Sequence, residues 1–424
     1  MGKYIVMDIV FYGNSLNYDQ GSGNYQELKK ITKWDGQQYS LVSRYALRFS
    51  LLETAKNAGL WNLAEGNNLI TAGSGDKKVI QPATEFLLSG EILGYPEFDL
   101  FGYLITDTQP QNFRTAPVKI NHAVSMTPFN YDALFNANIG LANRMRKQFG
   151  DMKPNPFTAE EHETFYQYTT VINVDNVGSI ESYLAKKIKD GGKDKTMSNI
   201  QLKKNETNLI NFEISYGTGN TKKTIDFTHN NDKEPKTTIS KIVLPFKEDD
   251  DKVKIEGFQN PEIIEYNENL GAMIIHYILD EETKKKRIED LLKSILNLKR
   301  SIKGREEDLT PKLIVMGVYK NLPYKTFKDK IVLLDEYVEE EYDEIEETPM
   351  ENGGRLVKVR HKTTKSRKPL FEIMDVSDTE SIDEAKILQF IEPLFNSQNA
   401  CEEYEEIKVF TDTSIKVKYN NKEQ

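Results

Sequence analysis

Ser40, Arg44 and Arg48 recur every four residues, a spacing that sets three side chains on one face of a helix. The stretch 39–48 reads Tyr-Ser-Leu-Val-Ser-Arg-Tyr-Ala-Leu-Arg. The pattern predicts a helix that starts between Ser40 and Ser43, runs to about Asn57 and closes at Gly59, with Tyr45, Phe49 and Leu52 on one face. Two arginines one turn apart repel by about 0.2–0.5 kcal/mol. Near the positive end of a helix each loses a further increment, about 0.3–1 kcal/mol. No acidic residue stands one turn beyond to relieve them, since Leu52 occupies that place. Free N–H groups, a serine and two arginines at one helix terminus are the makings of a phosphate site. On these residues alone, ion pairs with distant carboxylates such as Asp8 or Asp99 are an equal alternative.

The other chemistry-bearing residues are sparse. One cysteine, Cys401, cannot form an internal disulfide or a thiolate zinc site, which suits a reducing cytoplasm. The five histidines show no metal-ligand spacing, so neither metal nor cofactor is expected. The Gly-rich stretch 72–77 lacks the spacing of a phosphate-binding loop and reads as a turn. The N-terminal apolar run is too short for a signal or a membrane span. The net charge of −10 argues against a nucleic-acid partner, but the average hides an asymmetry. An acidic block spans 335–344, whereas 186–204, 284–300 and 355–368 are rich in Lys and Arg. Local charge, and not the net figure, therefore has to identify the partner.

Several elements must position the arginine pair. Ile5, Met7, Ile9 and Phe11 alternate with a mixed set, Tyr4 to Asn14, which predicts a first strand with one buried and one half-exposed face. Residues 61–90 read as a loop-rich insertion. Strands are expected at 98–105, 115–125, interrupted at Pro117, and 165–174, with a helix over 134–148. Residues 176–265 are rich in Lys, Asn, Thr and Gly and read as a long insertion carrying hairpins. A strand over 272–279 precedes the clearest helix, capped by Asp280 with Glu281 and Glu282 at its positive end. Its apolar stripe runs from Ile288 to Ile302, with Lys299, Arg300 and Lys303 in the last turn. A strand over 313–319 follows. The order is βαββαβ with large insertions, an α+β scheme that suggests a ferredoxin-like or RRM-like sheet. The expected organisation is a palm of 1–175 and 266–334 and a subsidiary lobe or tail over 335–424.

The motif 39–48 resembles the signature of the DevR family, and so do residues 14–20 and 24–30. Further resemblance lies in 98–103, 114–120, 129–140, the strand at 168–174 and the helix–strand at 287–319. It is strong over 1–175, moderate over 270–330 and weak or absent elsewhere. Family members are backbone subunits of the type I-B CRISPR effector complex, Cascade. The resemblance implies a non-catalytic protein that stacks in several copies as a filament along the spacer of one CRISPR RNA, beside other Cascade subunits. An RRM-like palm carries finger and thumb insertions, here 61–97 and 176–265. The thumb displaces RNA bases at intervals, and the remaining bases are presented to target DNA. The protein grips backbone and shape while pairing reads sequence. Carried over by residue, Asn14, Ser43, Arg44 and Arg48 contact RNA, with Arg114 and Lys119 in the second motif. Tyr12 is a candidate for stacking on a base and Met197 for parting bases.

Two rival readings stand. Related type III backbone subunits cut RNA with an aspartate in a palm loop, and Asp19 is the residue in that place, although a turn role suits it as well. A stand-alone developmental regulator is the other, and it predicts a monomer without RNA.

Overall fold

The first strand lies at the centre of the main sheet. In the computed structural model of the chain, β1 (Lys3–Asn14) pairs antiparallel with a strand on each side. The structure describes residues 2–185 and 272–420, apart from 74, 84–85, 88–89, 107–110, 152–153, 350–352, 354, 377–378 and 396–401. Between 186 and 271 it describes the backbone of seven strands.

In chain order, β1 is followed by β2 (Lys30–Thr32), β3 (Gln38–Val42) and α1 (Arg44–Asn57). Then come α2 (Pro96–Phe101), β4 (Val118–Ile120), β5 (Ala123–Ser125), α3 (Ile139–Phe149) and β6 (Glu163–Asn173). After β7 (Ser179–Ala185) and β8 (Ala272–Ile278) come α4 (Glu281–Leu296), β9 (Lys299–Ile302), β10 (Arg305–Asp308) and β11 (Pro311–Lys320). The C-terminal part holds β12 (Ile331–Pro349), β13 (Arg355–Met374), β14 (Thr379–Ser381), α5 (Glu384–Ile391), β15 (Tyr404–Thr411) and β16 (Lys416–Asn420). The architecture is mixed α+β.

The nine-stranded sheet runs β14-β15-β11-β1-β6-β5-β3-β2, and β4 also pairs with β6. Its middle, β11-β1-β6 with β4 and β5, is antiparallel throughout. α1 lies in the chain between β1 and β4, and α4 between β6 and β11. The odd-numbered face of β1, Ile5 to Phe11, packs with Leu47, Leu51 and Ala55 of α1 and Ile288, Leu291, Leu292 and Ile295 of α4. Asp280 caps α4 as expected, its Oδ1 accepting from the Thr283 N–H at 2.7 Å. The stretch 186–271 holds antiparallel pairs, including 187–190 with 193–196 and a three-stranded set from 200 to 228.

Several expectations need correction. The second face of β1 is not half-exposed. Val6, Asp8 and Val10 are fully buried; Phe327, Ile331, Phe371 and Ile373 pack with Val10 on that side, and only toward the strand ends do Tyr4, Tyr12 and Asn14 keep exposure. Residues 98–101 are helical: Pro96 at the first position starts α2, and a strand follows only at Tyr103–Ile105. The helix expected from Leu134 begins at Ile139, capped by Asn138, and Ala133–Asn136 is extended. α4 ends at Leu296, so Lys299, Arg300 and Ile302 lie in a hairpin of β9 and β10. Lys303 and Gly304, both at positive φ, make its two-residue turn.

The region after 330 is the largest departure. The acidic block forms one strand of a two-stranded ribbon. β12 pairs with β13 in unbroken register from Ile331↔Ile373 to Pro349↔Arg355, a ribbon whose base is joined by β16 along Leu370–Met374. Among the described residues no helix is long and apolar enough to cross a membrane.

Candidate nucleic-acid interface

α1 begins one residue after Ser43, whose side chain accepts from the Ala46 N–H at 3.2 Å. The Ser43 N–H in turn donates to Asn17 Oδ1 at 2.9 Å, which fixes the loop after β1 against the helix entry. Ser40 is therefore not on the helix. It lies in β3, buried, with its Oγ 2.7 Å from His162 Nδ1 and 2.8 Å from the Tyr166 hydroxyl. The four-residue spacing that suggested a shared face holds for Arg44 and Arg48 alone.

Neither arginine pairs with Asp8 or Asp99. Asp8 accepts from Thr169 and from the Phe327 N–H, and Asp99 is taken by other cations. Among the described residues no carboxylate lies within ion-pair distance of either guanidinium. Arg44 is exposed, bonded to the Tyr45 hydroxyl and 4.9 Å from that ring. Arg48 lies 5.1 Å from the Phe101 ring. Burial pushes its guanidinium below the ordinary value, opposed by the Glu97 carboxylate. A partly desolvated cation without an ion pair is a costly arrangement that an incoming anion relieves.

Positive potential extends past the helix. The Arg44 N–H donates to His122 Nδ1 at 2.9 Å. Burial lowers the pKa of His122, and the charges of Arg44 and Lys29 lower it further. Tyr45 and Phe49, expected on one face with Leu52, part from it and point outward, 65% and 60% exposed, while Leu52 is buried. The buried face is Leu47, Ser50, Leu51, Leu52 and Ala55. Guanidinium groups beside exposed rings suit a single-stranded nucleic acid, with phosphate on the cations and bases on the aromatics. Arg300 supports the helix from behind, donating to the Leu16 and Ala46 carbonyls and to Ser50 Oγ.

A model of the CRISPR-associated negative auto-regulator DevR/Csa2 family matches residues 5–342, most of the chain. The chain belongs to this family. A curated relative, the CRISPR-associated protein Cas7/Cst2/DevR of Myxococcus xanthus (strain DK1622), is 28% identical over 166 residues, 34% of this chain and 49% of that protein. The chain thus spans about half the length of the curated relative it matches. Among solved structures, a chain of a CRISPR RNA-guided surveillance complex in a pre-nicking state aligns at 10% identity with a TM-score of 0.38, over 76% of this chain and 80% of that one. A chain of a type IV-B CRISPR complex aligns at 13% identity with a TM-score of 0.25, over 40% and 72%.

In this DevR/Csa2 protein the remaining candidates separate. Lys119 is exposed on β4, three residues before His122. Arg114 is not available to a ligand. Its side chain is 8% exposed and donates to the Asp99 carboxylate at 2.5 Å and to the carbonyls of Asp99, Ser179 and Asn176. Asp99, fully buried, also takes Arg287 and the Gly178 N–H. Arg114 ties α2 to the start of β7, and its guanidinium is engaged within the fold. Asn14 is half-buried, with its Oδ1 accepting from Ser15 Oγ, its N–H donating to Glu307 and its carbonyl accepting from Arg305. That corner is lined by carboxylates and suits a positioning role for the loop better than a phosphate contact. Tyr12 meets Phe165 edge-on at 4.9 Å. Asp19 accepts from the Gln20 N–H and faces Lys29 at 3.7 Å, as a turn residue does. Met197 lies outside the described residues. Among the described residues no group of three or more His, Cys, Asp or Glu is placed to hold a metal ion.

Sequence reasoning missed Asn17, His122, Arg300 and the outward turn of Tyr45 and Phe49. Asn17 stood inside a quoted motif and had the side chain of an N-terminal clasp. Nothing local marked Arg300, which acts across the fold.

Proposed function

We propose that the protein is a non-catalytic, RNA-binding backbone subunit of a type I-B CRISPR effector complex, working in the cytoplasm. Several copies stack as a filament on one CRISPR RNA and present its bases to target DNA. The observation that carries this reading is the pair Arg44 and Arg48, without carboxylate partners among the described residues at the Ser43-capped entry of α1, in a member of the DevR/Csa2 family. Ser43, Arg44, Arg48 and Lys119 hold phosphate or ribose, Tyr45 and Phe49 meet bases, and Asn14 and His122 position them.

The strand order β11-β1-β6-β5, with a helix after the first and third of these strands in the chain, supports an RRM-like palm. The usual RRM surface is not the one used here, because Phe327 and the ribbon base lie over that face of β1. The engagement of Asp19 with its own turn and with Lys29 favours a structural role over RNA cleavage. The test is to purify the protein, read its absorbance ratio and size any RNA extracted from it. The wild type is expected to carry RNA of uniform length, and Arg44→Glu with Arg48→Glu to lose it. A double variant that still carries RNA of normal length refutes the assignment. Cutting of complementary RNA that disappears on Asp19→Ala would establish the catalytic alternative.

A further inference from the structure

The β12–β13 ribbon is an unusual object to leave in water. Past Leu334 on one strand and Leu370 on the other, none of its described residues is buried. An isolated two-stranded hairpin is marginally stable at best. This one is long and has open backbone edges, since among the described residues β12 has no outer neighbour and β16 reaches only the base of β13. Ile345 and Val359 lie opposite each other, with Val357 on the same side, all at least half exposed.

Its charges are sorted by strand. Residues 335–347 contain nine Asp or Glu and no Lys or Arg, whereas 355–368 contain seven Lys or Arg and no Asp or Glu. Pairs such as Glu339–Lys365 and Glu340–Lys368 bind the two strands together. One long edge of the ribbon is therefore acidic and the other basic. Two such ribbons repel if they meet by like edges, which a two-fold dimer requires. They attract if the basic edge of one meets the acidic edge of the next. That contact is head-to-tail, so it continues from copy to copy and does not close on a pair.

We propose that the two runs 335–349 and 355–369 form an arm that docks a second copy of this chain, the basic edge of β13 lying along the acidic edge of the neighbour's β12. Backbone groups on the two open edges pair, and cross-copy ion pairs repeat those within the ribbon. The inference rests on the multi-copy reading above for the neighbour that it needs.

Charge exchange tests it. In the exchanged chain each Asp and Glu of 335–347 except Glu336 and Asp343 is replaced by Lys and each Lys and Arg of 355–368 by Glu, which preserves the ion pairs of Lys and Arg between β12 and β13. Alone on RNA, the exchanged chain is expected to assemble like wild type. In a mixture of differently tagged chains, mixed neighbours are expected several-fold below the random level, because both mixed contacts oppose like charges. Random mixing overturns the proposal while leaving the multi-copy reading intact. An exchanged chain that cannot assemble even alone shows that the arm docks on something else, RNA or another protein. A wild type that stays monomeric with RNA refutes both readings. Should the exchanged chain not fold, a chain with 338–366 replaced by Asn-Gly serves instead. It is expected to bind RNA yet add successive copies several-fold more weakly, and unchanged addition overturns the proposal.

Discussion

Arg44 and Arg114 stand in two motifs that the sequence offers as RNA contacts, yet only Arg44 has a guanidinium open to solvent. Arg114→Ala leaves Asp99 fully buried with a single cation and is expected to cost about 3–5 kcal/mol in urea unfolding. Arg44→Ala, on the surface, should stay within about 0.5 kcal/mol of wild type while weakening RNA binding. A stable Arg114→Ala variant would place that residue back among the ligand contacts. The difference was not legible beforehand, because the partners of Arg114 lie at 99, 176 and 179, on elements whose proximity no local pattern reveals. The anomaly of Arg44 and Arg48 was legible, since the missing acid is a property of the helix itself. Two histidines give a pH signature. Burial lowers the pKa of both His122 and His162 from the ordinary 6.5. Between the folded and unfolded values the unfolded chain binds more protons, so stability falls as pH drops below about 6.5. His122→Gln with His162→Gln should flatten the unfolding free energy between about pH 7.5 and 5.5, and an unchanged slope would show that other groups set it.

At the scale of elements, caps and periodicity located β1, α1, α4, β6 and β11 well. They failed where one period ran on into a different structure. The stripe from Ile288 through Leu298 to Ile302 keeps helical spacing past the end of α4, and only the Lys303–Gly304 turn betrays the hairpin. The ribbon was missed for a related reason: its unit is a pair of runs, not one run. An all-acidic run, Gly353-Gly354 and an all-basic run together spell a hairpin, although neither run alone does. Because the distal ribbon contributes nothing to either core cluster, replacing 338–366 by Asn-Gly should leave the thermal midpoint of the chain nearly unchanged in calorimetry. A large drop would mean that the arm packs on its own body. Asp280→Ala removes the cap of α4 and should cost about 0.5–2 kcal/mol in urea unfolding.

At the scale of the whole molecule, salt is the clearest probe of whether this acidic chain holds RNA. Each phosphate contact on a single strand adds about 0.7 to the slope of log affinity against log salt. Arg44→Gln with Arg48→Gln should therefore lower the slope by about 1.4 per bound copy, measured by titration at several salt concentrations. An unaltered slope means that the phosphates sit elsewhere. The α+β class could be read from the sequence, whereas the covering of the second face of β1 could not, because it comes from residues near 327, 371 and 373. The placement of β1 also has a consequence in time. Its two flanking strands are β6 and β11, which begin at Glu163 and Pro311. At synthesis rates of about 5–20 residues per second, the first strand made waits roughly 15–60 s for its last neighbour. Through that interval a strongly apolar strand keeps an open edge on the ribosome. Its protection by chaperones, more than any slow step in the finished chain, is expected to govern how much protein is recovered.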